Sequence, residues 1–181
     1  MYQNVIIAGV GGQGILLIGN MLAEAALAEG LQVTFLPSYG VEMRGGNANC
    51  TVVVSDEEIG SPSVNTPEVL VTMAKRARAV FEPRVMEGGI EILNSSLVPE
   101  SDVSRDDIEV MAFPFNELAA DMGNQRLANM IALGVYVGKT GVVKVGSLEE
   151  GMAEALSERN RKFIPQNMEA IRKGVELANG K

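Results

Sequence analysis

The sequence contains no histidine and no tryptophan, and it has only one cysteine, Cys50, among 181 residues. Without histidine the chain cannot form an imidazole acid–base pair, a Ser-His-Asp or Cys-His arrangement, or a histidine-ligated metal site. A single cysteine excludes an internal disulfide and a cysteine-rich metal site, so Cys50 is expected to be a small buried residue in a strand. We therefore assign no catalytic residue and no metal ligand to this chain, and a self-contained hydrolase or metalloenzyme is not expected.

Long hydrophobic runs and positive charge are also scarce. The net charge of −8 disfavours binding to nucleic acid or to an anionic membrane. No apolar run reaches the roughly 18 residues of a membrane span, and residues 1–4 lack the basic and apolar regions of a signal peptide. The composition, 46% hydrophobic and 21% charged, is ordinary for a globular protein. We expect one cytoplasmic domain covering residues 1–181, with no membrane or nucleic-acid partner.

A glycine-rich loop near the start organises the rest of the chain. A buried strand at residues 5–8 runs into Gly9, Gly11 and Gly14, which fit the pattern G-x-G-x-x-G, and an apolar helix follows. Such glycines let the backbone turn sharply and approach a ligand, while the first amides of the helix favour an anion. We predict a phosphate group here, with Gly12 and Gln13 as further contacts. The alternative is a tight turn that binds nothing, in which Gln13 hydrogen-bonds only the loop itself.

The second strand argues against a nicotinamide dinucleotide as the ligand. A dinucleotide fold places an acidic residue at the end of that strand to hold a ribose hydroxyl. Here the strand at residues 31–36 ends in Pro37, Ser38 and Tyr39, and the first carboxylate after it is Glu42. NAD is therefore disfavoured, whereas another ligand that carries a diphosphate is not.

Hydrophobic periodicity predicts an α/β fold: a single three-layer-type domain with a Rossmann-like N-terminal βαβ unit, a mixed sheet and a helical C-terminal third. The first helix, residues 15–29, should connect parallel strands by a right-handed crossover. A basic helix with Lys75, Arg76 and Arg78 is interpreted as a solvated face, with a partner-facing patch as the alternative. A capping box at Ser147 is expected to open a helix reaching about residue 159. The other predicted strands are residues 47–55, 68–73, 90–93 and 108–113, and the other helices are residues 74–81, 117–122, 124–139 and 164–178.

The loop after the second strand should share an edge of the sheet with the glycine loop, where ligands of open α/β sheets collect. Arg44, followed by Gly45 and Gly46, offers a planar fork suited to phosphate oxygens. Its alternatives are an ion pair with Glu42 or a subunit contact. Ser38 and Tyr39 could line the same pocket, and Asn129 in a later helix could hydrogen-bond the ligand or cap a loop.

Three blocks together resemble the gamma subunit of 2-oxoacid:ferredoxin oxidoreductases. They are GVGGQG at residues 9–14, YGVEMRGG at residues 39–46 and NMIALG at residues 129–134. The resemblance covers nearly the whole chain. It implies a complex of anaerobic metabolism that oxidatively decarboxylates a 2-oxoacid to an acyl-CoA, so the enzyme acts on an oxo group and passes its electrons to ferredoxin, an iron–sulfur protein.

The resemblance also implies how the cofactors are divided among the subunits. The gamma domain is associated with coenzyme A, which carries a diphosphate, whereas thiamine diphosphate, Mg and iron–sulfur clusters belong to alpha, beta and ferredoxin-like delta subunits. This chain should therefore be inactive alone, and it could form a homo-oligomer when isolated. Related fused enzymes carry lysines where this chain has Glu42 and Met43. Pyruvate, 2-oxoglutarate and branched or aryl 2-oxoacids all stay open as substrates. The alternative functions are the matching subunit of an indolepyruvate oxidoreductase, a stand-alone dinucleotide-binding protein and a purely structural subunit.

Overall fold

Six strands form one mixed sheet in the part of the chain described by this computed structural model, which comprises residues 1–39, 46–99 and 105–180. In chain order they are β1 (Tyr2–Val10), β2 (Gln32–Tyr39), β3 (Asn47–Ser55), β4 (Val69–Thr72), β5 (Ile90–Asn94) and β6 (Glu109–Phe113). They lie side by side in the order β2-β3-β1-β4-β5-β6. β3 pairs antiparallel with β1 and β2, whereas the other neighbours are parallel. The predicted α/β fold with a mixed sheet is confirmed.

The helices of the described residues cover the two faces of the sheet unequally. They are α1 (Ile15–Ala28), α2 (Lys75–Phe81), α3 (Phe115–Asp121), α4 (Ala128–Thr140), α5 (Val145–Ala155) and α6 (Ile164–Ala178). Because side chains alternate along a strand, Val5 and Ile7 of β1 join the large core beneath α1 and α3–α6. Ile6 and Ala8 point the other way, into a smaller core with Ala77 of α2. The result is a three-layer arrangement with one thick and one thin helical layer.

β2 lies at the edge of the sheet and is longer than its sequence pattern predicts. It continues through Pro37 to Tyr39 instead of ending at Leu36. Proline lacks the N–H that a central strand must donate, so an edge strand is where it is tolerated. β1 and β2 run in the same direction, because each pairs antiparallel with the β3 strand between them. The carboxyl ends of β1 and β2 therefore reach the same edge, as predicted.

The predicted capping box at Ser147 is wrong. α5 begins at Val145, which places Ser147 inside the helix, and it ends at Ala155 instead of near residue 159. The start is fixed by tertiary contacts: the amide of Lys144 donates to Oε1 of Glu29 at 2.6 Å, and Gly151 packs so tightly on α1 that a Cβ would lie 2.6 Å from backbone atoms. Packing against α1 thus overrides the local signal.

Other helix boundaries differ less. α3 begins at Phe115, two residues before the predicted start. Asn124, expected to open the next helix, instead caps a 3-10 turn at Gln125–Leu127 by accepting from the amide of Arg126 at 3.1 Å, and α4 follows it. A second 3-10 turn, Glu158–Phe163, leads into α6, whose bounds match the prediction. These turns bring polar residues to the start of α4 and of α6.

The sequence interpretation of the basic helix as a solvated face is wrong for Arg78. Arg78 of α2 is only 4% exposed. Its Nε lies 3.2 Å from both carboxylate oxygens of Glu91, and its Nη2 donates to Oε1 of Glu82 at 2.8 Å. Thr72 donates to Oε1 of the fully buried Glu91 at 2.8 Å. Burial raises the pKa of Glu91, and the nearby Glu82 charge adds to this, while Thr72 and Arg78 oppose it. Arg78 is thus the centre of a buried ion-pair network between α2 and the sheet.

Cys50 is a buried strand residue, as expected. It is fully inaccessible in β3 and packs against α1, where its Sγ faces the carbonyl of Ile15. Removal from water disfavours the thiolate and raises the pKa of Cys50 to about 12. Cys50 therefore has a packing role.

Candidate functional site

The glycine loop joins β1 to α1 at the carboxyl edge of the sheet. Gly12 has φ +97° and Gly14 has φ +71°, a left-handed conformation that favours glycine. A Cβ on Gly12 would meet nothing within 4 Å, so the loop borders open space there. A Cβ on Gly14 would collide with the side chain of Asn129. Gly12 thus gives a ligand access, whereas Gly14 permits a close contact with α4.

Gln13 holds this loop in shape. Its Oε1 accepts from the amide of Val10 at 2.9 Å, and its Nε2 donates to the carbonyl of Met73 at 2.9 Å. The same Oε1 sits against Gly9, which leaves no room for a side chain there. Gln13 therefore ties the glycine loop to the end of β4 and supports the loop from within.

The other predicted site residues divide into two groups. Gly46 lies beside the loop, where its carbonyl accepts from the amide of Gly11 at 2.9 Å. Ser38 and Tyr39 end β2 with β3 between them and β1, which separates their backbones from the loop by about 10 Å. Arg44 and Gly45 lie outside the described residues. The structure therefore brings Gly46 to the glycine loop and leaves Ser38 and Tyr39 on the far side of β3.

Asn129 connects the start of α4 to the start of α1. Its Nδ2 lies 3.3 Å from the carbonyl of Gly14, which also accepts from the amide of Ile18 at 3.2 Å. The residue is 6% exposed, and its Oδ1 has no hydrogen-bond partner in the described part of the chain. Buried polar atoms are normally paired, so this oxygen is an unused acceptor beside the glycine loop.

A cavity of about 490 Å³ opens on this side of the loop. Its volume is typical of small-molecule sites. Gly12, Gln13, Gly14 and Asn129 contribute to its wall, and Arg126 is the one charged residue that lines it within the described ranges. Side-chain amides supply most of its other polar groups: Asn116, Asn124, Gln125, Asn160, Gln166 and Asn167.

Three helices begin at this cavity. The residues that precede their first turns, Gly14 for α1, Leu127 for α4 and Phe163 for α6, all line it. None of these helix starts has a side-chain cap or an acidic residue in its first turn. Gly134 of α4 and Gly174 of α6 let these two helices cross in close contact. Since each helix start carries a partial positive charge, the cavity is suited to an anion.

Sequence reasoning missed most of the cavity wall. Asn160, Gln166 and Arg126 are far from the glycine loop in the chain and reach it only through the packing of α4 and α6. The available signal was the density of asparagine and glutamine between residues 116 and 167 in a chain whose charged residues are mostly acidic. Amides just before apolar helices are consistent with a polar pocket at the helix starts.

The described residues contain neither a cluster of metal-ligating side chains nor a helix suited to cross a membrane. No group of three or more His, Cys, Asp or Glu side chains is arranged there to hold a metal ion. Within the same ranges, no helix combines the length and hydropathy needed for a membrane crossing.

Comparison with known proteins identifies the family. The model of the pyruvate ferredoxin/flavodoxin oxidoreductase family matches residues 4–177. The chain belongs to this family. The resemblance inferred from the three sequence blocks is thereby confirmed.

Relatives in this family are subunits of oxidoreductases for different 2-oxoacids. The chain is 38% identical over 179 residues to the ketoisovalerate oxidoreductase subunit VorA of Methanothermobacter thermautotrophicus, covering 96% of this chain and 36% of VorA. It is 34% identical to the 2-oxoglutarate synthase subunit KorC of Methanothermobacter marburgensis, covering 98% of this chain and 97% of KorC. The chain therefore spans about a third of VorA but nearly all of KorC.

Solved structures share the fold over the whole chain. The gamma subunit of a keto/oxoacid ferredoxin oxidoreductase from Geobacter sulfurreducens superposes with a TM-score of 0.82 at 30% identity and covers 99% of both chains. A 2-oxoglutarate:ferredoxin oxidoreductase from Magnetococcus marinus, solved with 2-oxoglutarate, coenzyme A and succinyl-CoA bound, gives a TM-score of 0.86 at 23% identity. In that case 99% of this chain matches 31% of the larger one, and the likeness concerns the fold.

Proposed function

We propose that this chain is the gamma subunit of a 2-oxoacid:ferredoxin oxidoreductase and that residues 1–181 act as one gamma-type domain. The complex would oxidatively decarboxylate a 2-oxoacid to an acyl-CoA and reduce ferredoxin. The observation that carries the proposal is the family match over residues 4–177, together with the full-length likeness to a gamma subunit. Alternatives based on an indolepyruvate oxidoreductase or a stand-alone dinucleotide-binding protein are not favoured, because the relatives above act on ketoisovalerate and 2-oxoglutarate.

The redox cofactors would lie on partner subunits. An iron–sulfur cluster is usually held by four cysteines, and this chain has one, which is buried. We therefore assign the clusters to partner subunits. The family resemblance implies that thiamine diphosphate and Mg also lie on partners and that these are alpha, beta and ferredoxin-like delta subunits, and we place the complex in the cytoplasm. The gamma chain would hold the complex together and help bind coenzyme A.

The glycine loop would contribute to coenzyme A binding. Gly12 borders open space, and neither its amide nor that of Gly14 has a hydrogen-bond partner among the described residues. Free amides at a helix start suit the diphosphate of coenzyme A. The Arg44 guanidinium would add a charge-assisted contact from the neighbouring loop, with Ser38, Tyr39, Gly45 and Gly46 around it.

The test is reconstitution. The chain should be produced alone and together with the proteins that co-purify with it, and both preparations assayed with a viologen dye and coenzyme A. A panel of pyruvate, 2-oxoglutarate and ketoisovalerate identifies the substrate. The proposal expects turnover only in the complex; turnover by the rigorously purified single chain would contradict it. Light scattering on the isolated chain then tests for self-association.

A further inference from the structure

A second cavity lies at the amino edge of the sheet, where β1, β4 and β5 begin and α4 ends. We call it the amino-edge cavity. It has a volume of about 350 Å³. The length of β1 separates it from the glycine loop by about 20–25 Å, at roughly 3.3 Å per residue. Its wall combines polar and apolar side chains, chiefly those of Gln3, Glu68, Lys139, Thr140, Met86 and Ile90.

The hydrogen-bond donors of this wall are already in use. The backbone amides of residues 88–90 all donate to main-chain carbonyls. Nε2 of Gln3 donates to Oε2 of Glu68 at 3.1 Å, and Nζ of Lys139 forms an ion pair with Glu109 at 2.7 Å. Because these donors have acceptors and the charge of Lys139 is balanced, the amino-edge cavity is poorly suited to an anion.

The acceptors of the same wall are not all in use. Glu68 accepts through Oε2, from Gln3 and from the amide of Asn4 at 2.9 Å, whereas its Oε1 has no partner among the described residues. The last three carbonyls of α4, at residues 138–140, accept no main-chain hydrogen bond there either. Free carbonyls at a helix end carry partial negative charge. A free carboxylate oxygen and a helix end in one cavity favour a cation that can donate hydrogen bonds.

Tyr136 adds a buried hydroxyl to this set. The residue is 1% exposed, and its Oη has no hydrogen-bond partner in the described chain. Burial raises the pKa of Tyr136, the charge of Glu68 adds to this rise, and Thr140 opposes it, so the hydroxyl lies near two residues of the cavity wall. Thr140 itself directs its hydrogen to the carbonyl of Tyr136 at 2.8 Å. Since buried polar atoms are normally paired, the Tyr136 hydroxyl is available to a ligand.

We propose that the amino-edge cavity binds a small alkylammonium compound. The ammonium group lies between Oε1 of Glu68 and the free carbonyls at the end of α4, and it donates a hydrogen to Oη of Tyr136. The alkyl chain packs on Met86 and Ile90; Met86 is 41% exposed in the free protein, so covering it is favourable. The volume of about 350 Å³ exceeds what a bare metal ion needs and leaves room for this chain. The inference is independent of the proposed coenzyme A site, which lies at the opposite edge.

The probe is n-butylamine, with n-butanol and butyrate as neutral and anionic controls of similar length. Each is titrated at about pH 7, where the amine is protonated, into the full chain containing methyl-labelled methionine. NMR follows the methyl group of Met86, and the fully buried Met152 is the internal control. Only butylamine should shift the Met86 signal to saturation, and Met152 should not respond. No shift with butylamine, or an equal shift with butyrate, would overturn the proposal.

Glu68→Gln tests the charge. The variant keeps an oxygen that accepts from the amide of Asn4, but it should raise the Kd of butylamine about tenfold through the lost charge-assisted contact. Glu87→Gln is the matched control, because Glu87 is an exposed carboxylate next to Gly88 that does not line the cavity. It should change the Kd by less than about twofold, since exposed charges are screened by salt. Equal weakening by both variants would indicate attraction to the acidic surface in general and overturn the site.

Tyr136→Phe tests the hydroxyl without opening the core. It should raise the Kd of butylamine about threefold, as expected for a neutral hydrogen bond. Because the hydroxyl has no partner in the described chain, the variant should unfold in urea at the same concentration as wild type or a higher one. An unchanged Kd together with a lowered midpoint would assign the hydroxyl a structural role and overturn its contact with the ligand. The titration is repeated on the assembled complex, where the Met86 response should persist; its loss there would overturn the assignment to a free compound.

Discussion

The buried polar groups on the two sides of the sheet differ in whether they have hydrogen-bond partners. Beneath α2, the side chains of Arg78, Glu82, Glu91 and Thr72 satisfy one another through short hydrogen bonds and ion pairs. On the other side, at the start of α4, Asn129 keeps an acceptor without a partner in the described chain.

The difference separates stability from binding. A polar network whose groups are all paired has no free donor or acceptor for a ligand, but removing one partner strongly destabilises the fold. An open set of donors and acceptors costs stability in the free protein and is completed by a ligand. We therefore expect the α2 network to support the fold and the cavity to support binding, with little exchange between the two roles.

The largest expected effect comes from Arg78→Met. It would leave Glu91 and Glu82 buried without their cation, at a cost of about 3–5 kcal/mol in the free energy of unfolding. Urea denaturation measures this. Arg76→Met, at an exposed position on the same helix, is the control and should change stability by no more than about 0.5 kcal/mol. A loss below about 1 kcal/mol in Arg78→Met would show that the network contributes little to the fold.

The next largest effect should be a loss of affinity for coenzyme A. Gly12 and Gly141 both have positive φ, +97° and +64°, and a Cβ would meet nothing within 4 Å of either. Valine at each position should cost about 1–2 kcal/mol in backbone strain. Only Gly12→Val also fills the space that the ligand needs, so we expect it alone to raise the Kd of coenzyme A about tenfold or more. Isothermal calorimetry on folded variants makes the comparison, and equal affinities would contradict it.

The smallest effect concerns pH. Burial raises the pKa of Glu91 in the folded protein, so the folded state holds that proton more tightly than the unfolded state. Stability from this group is present below the unfolded pKa and is lost as the pH rises through the folded pKa. Unfolding curves from pH 4 upward should show that Glu91→Gln lacks this loss. A difference between wild type and variant that does not change with pH would rule out Glu91 as the source.

The sequence predicted those elements whose structure is determined by neighbouring residues in the chain. Residues 47–55 alternate in hydrophobicity, and the run at residues 164–178 has helical spacing, so β3 and α6 were predicted correctly. The glycine loop was found because its pattern is contiguous. The start of α5 was not, since contacts with α1 decide it.

Burial of charge was equally non-local. The sequence of its own helix suggests that Arg78 is exposed, and only the ion pair with Glu91 of β5 makes its burial possible. One signal was present: Glu91 lies between the apolar residues Ile90 and Ile92 in a strand, where an unpaired carboxylate would be costly. For the cavity wall at Asn160 and Gln166 the sequence offered only the density of side-chain amides between residues 116 and 167, because the packing of α6 against α4 assembles that wall.

The most direct test of the central claim, that this chain is a coenzyme A-binding gamma subunit, is calorimetry on the assembled complex. Coenzyme A and NAD are titrated into wild type, Arg44→Ala and folded Gly12→Val. The account predicts tighter binding of coenzyme A than of NAD. It also predicts a Kd for coenzyme A raised about tenfold or more in both variants, corresponding to a charge-assisted contact of roughly 1.5–3 kcal/mol for Arg44. Unchanged coenzyme A binding in both variants, or a preference for NAD, would contradict it.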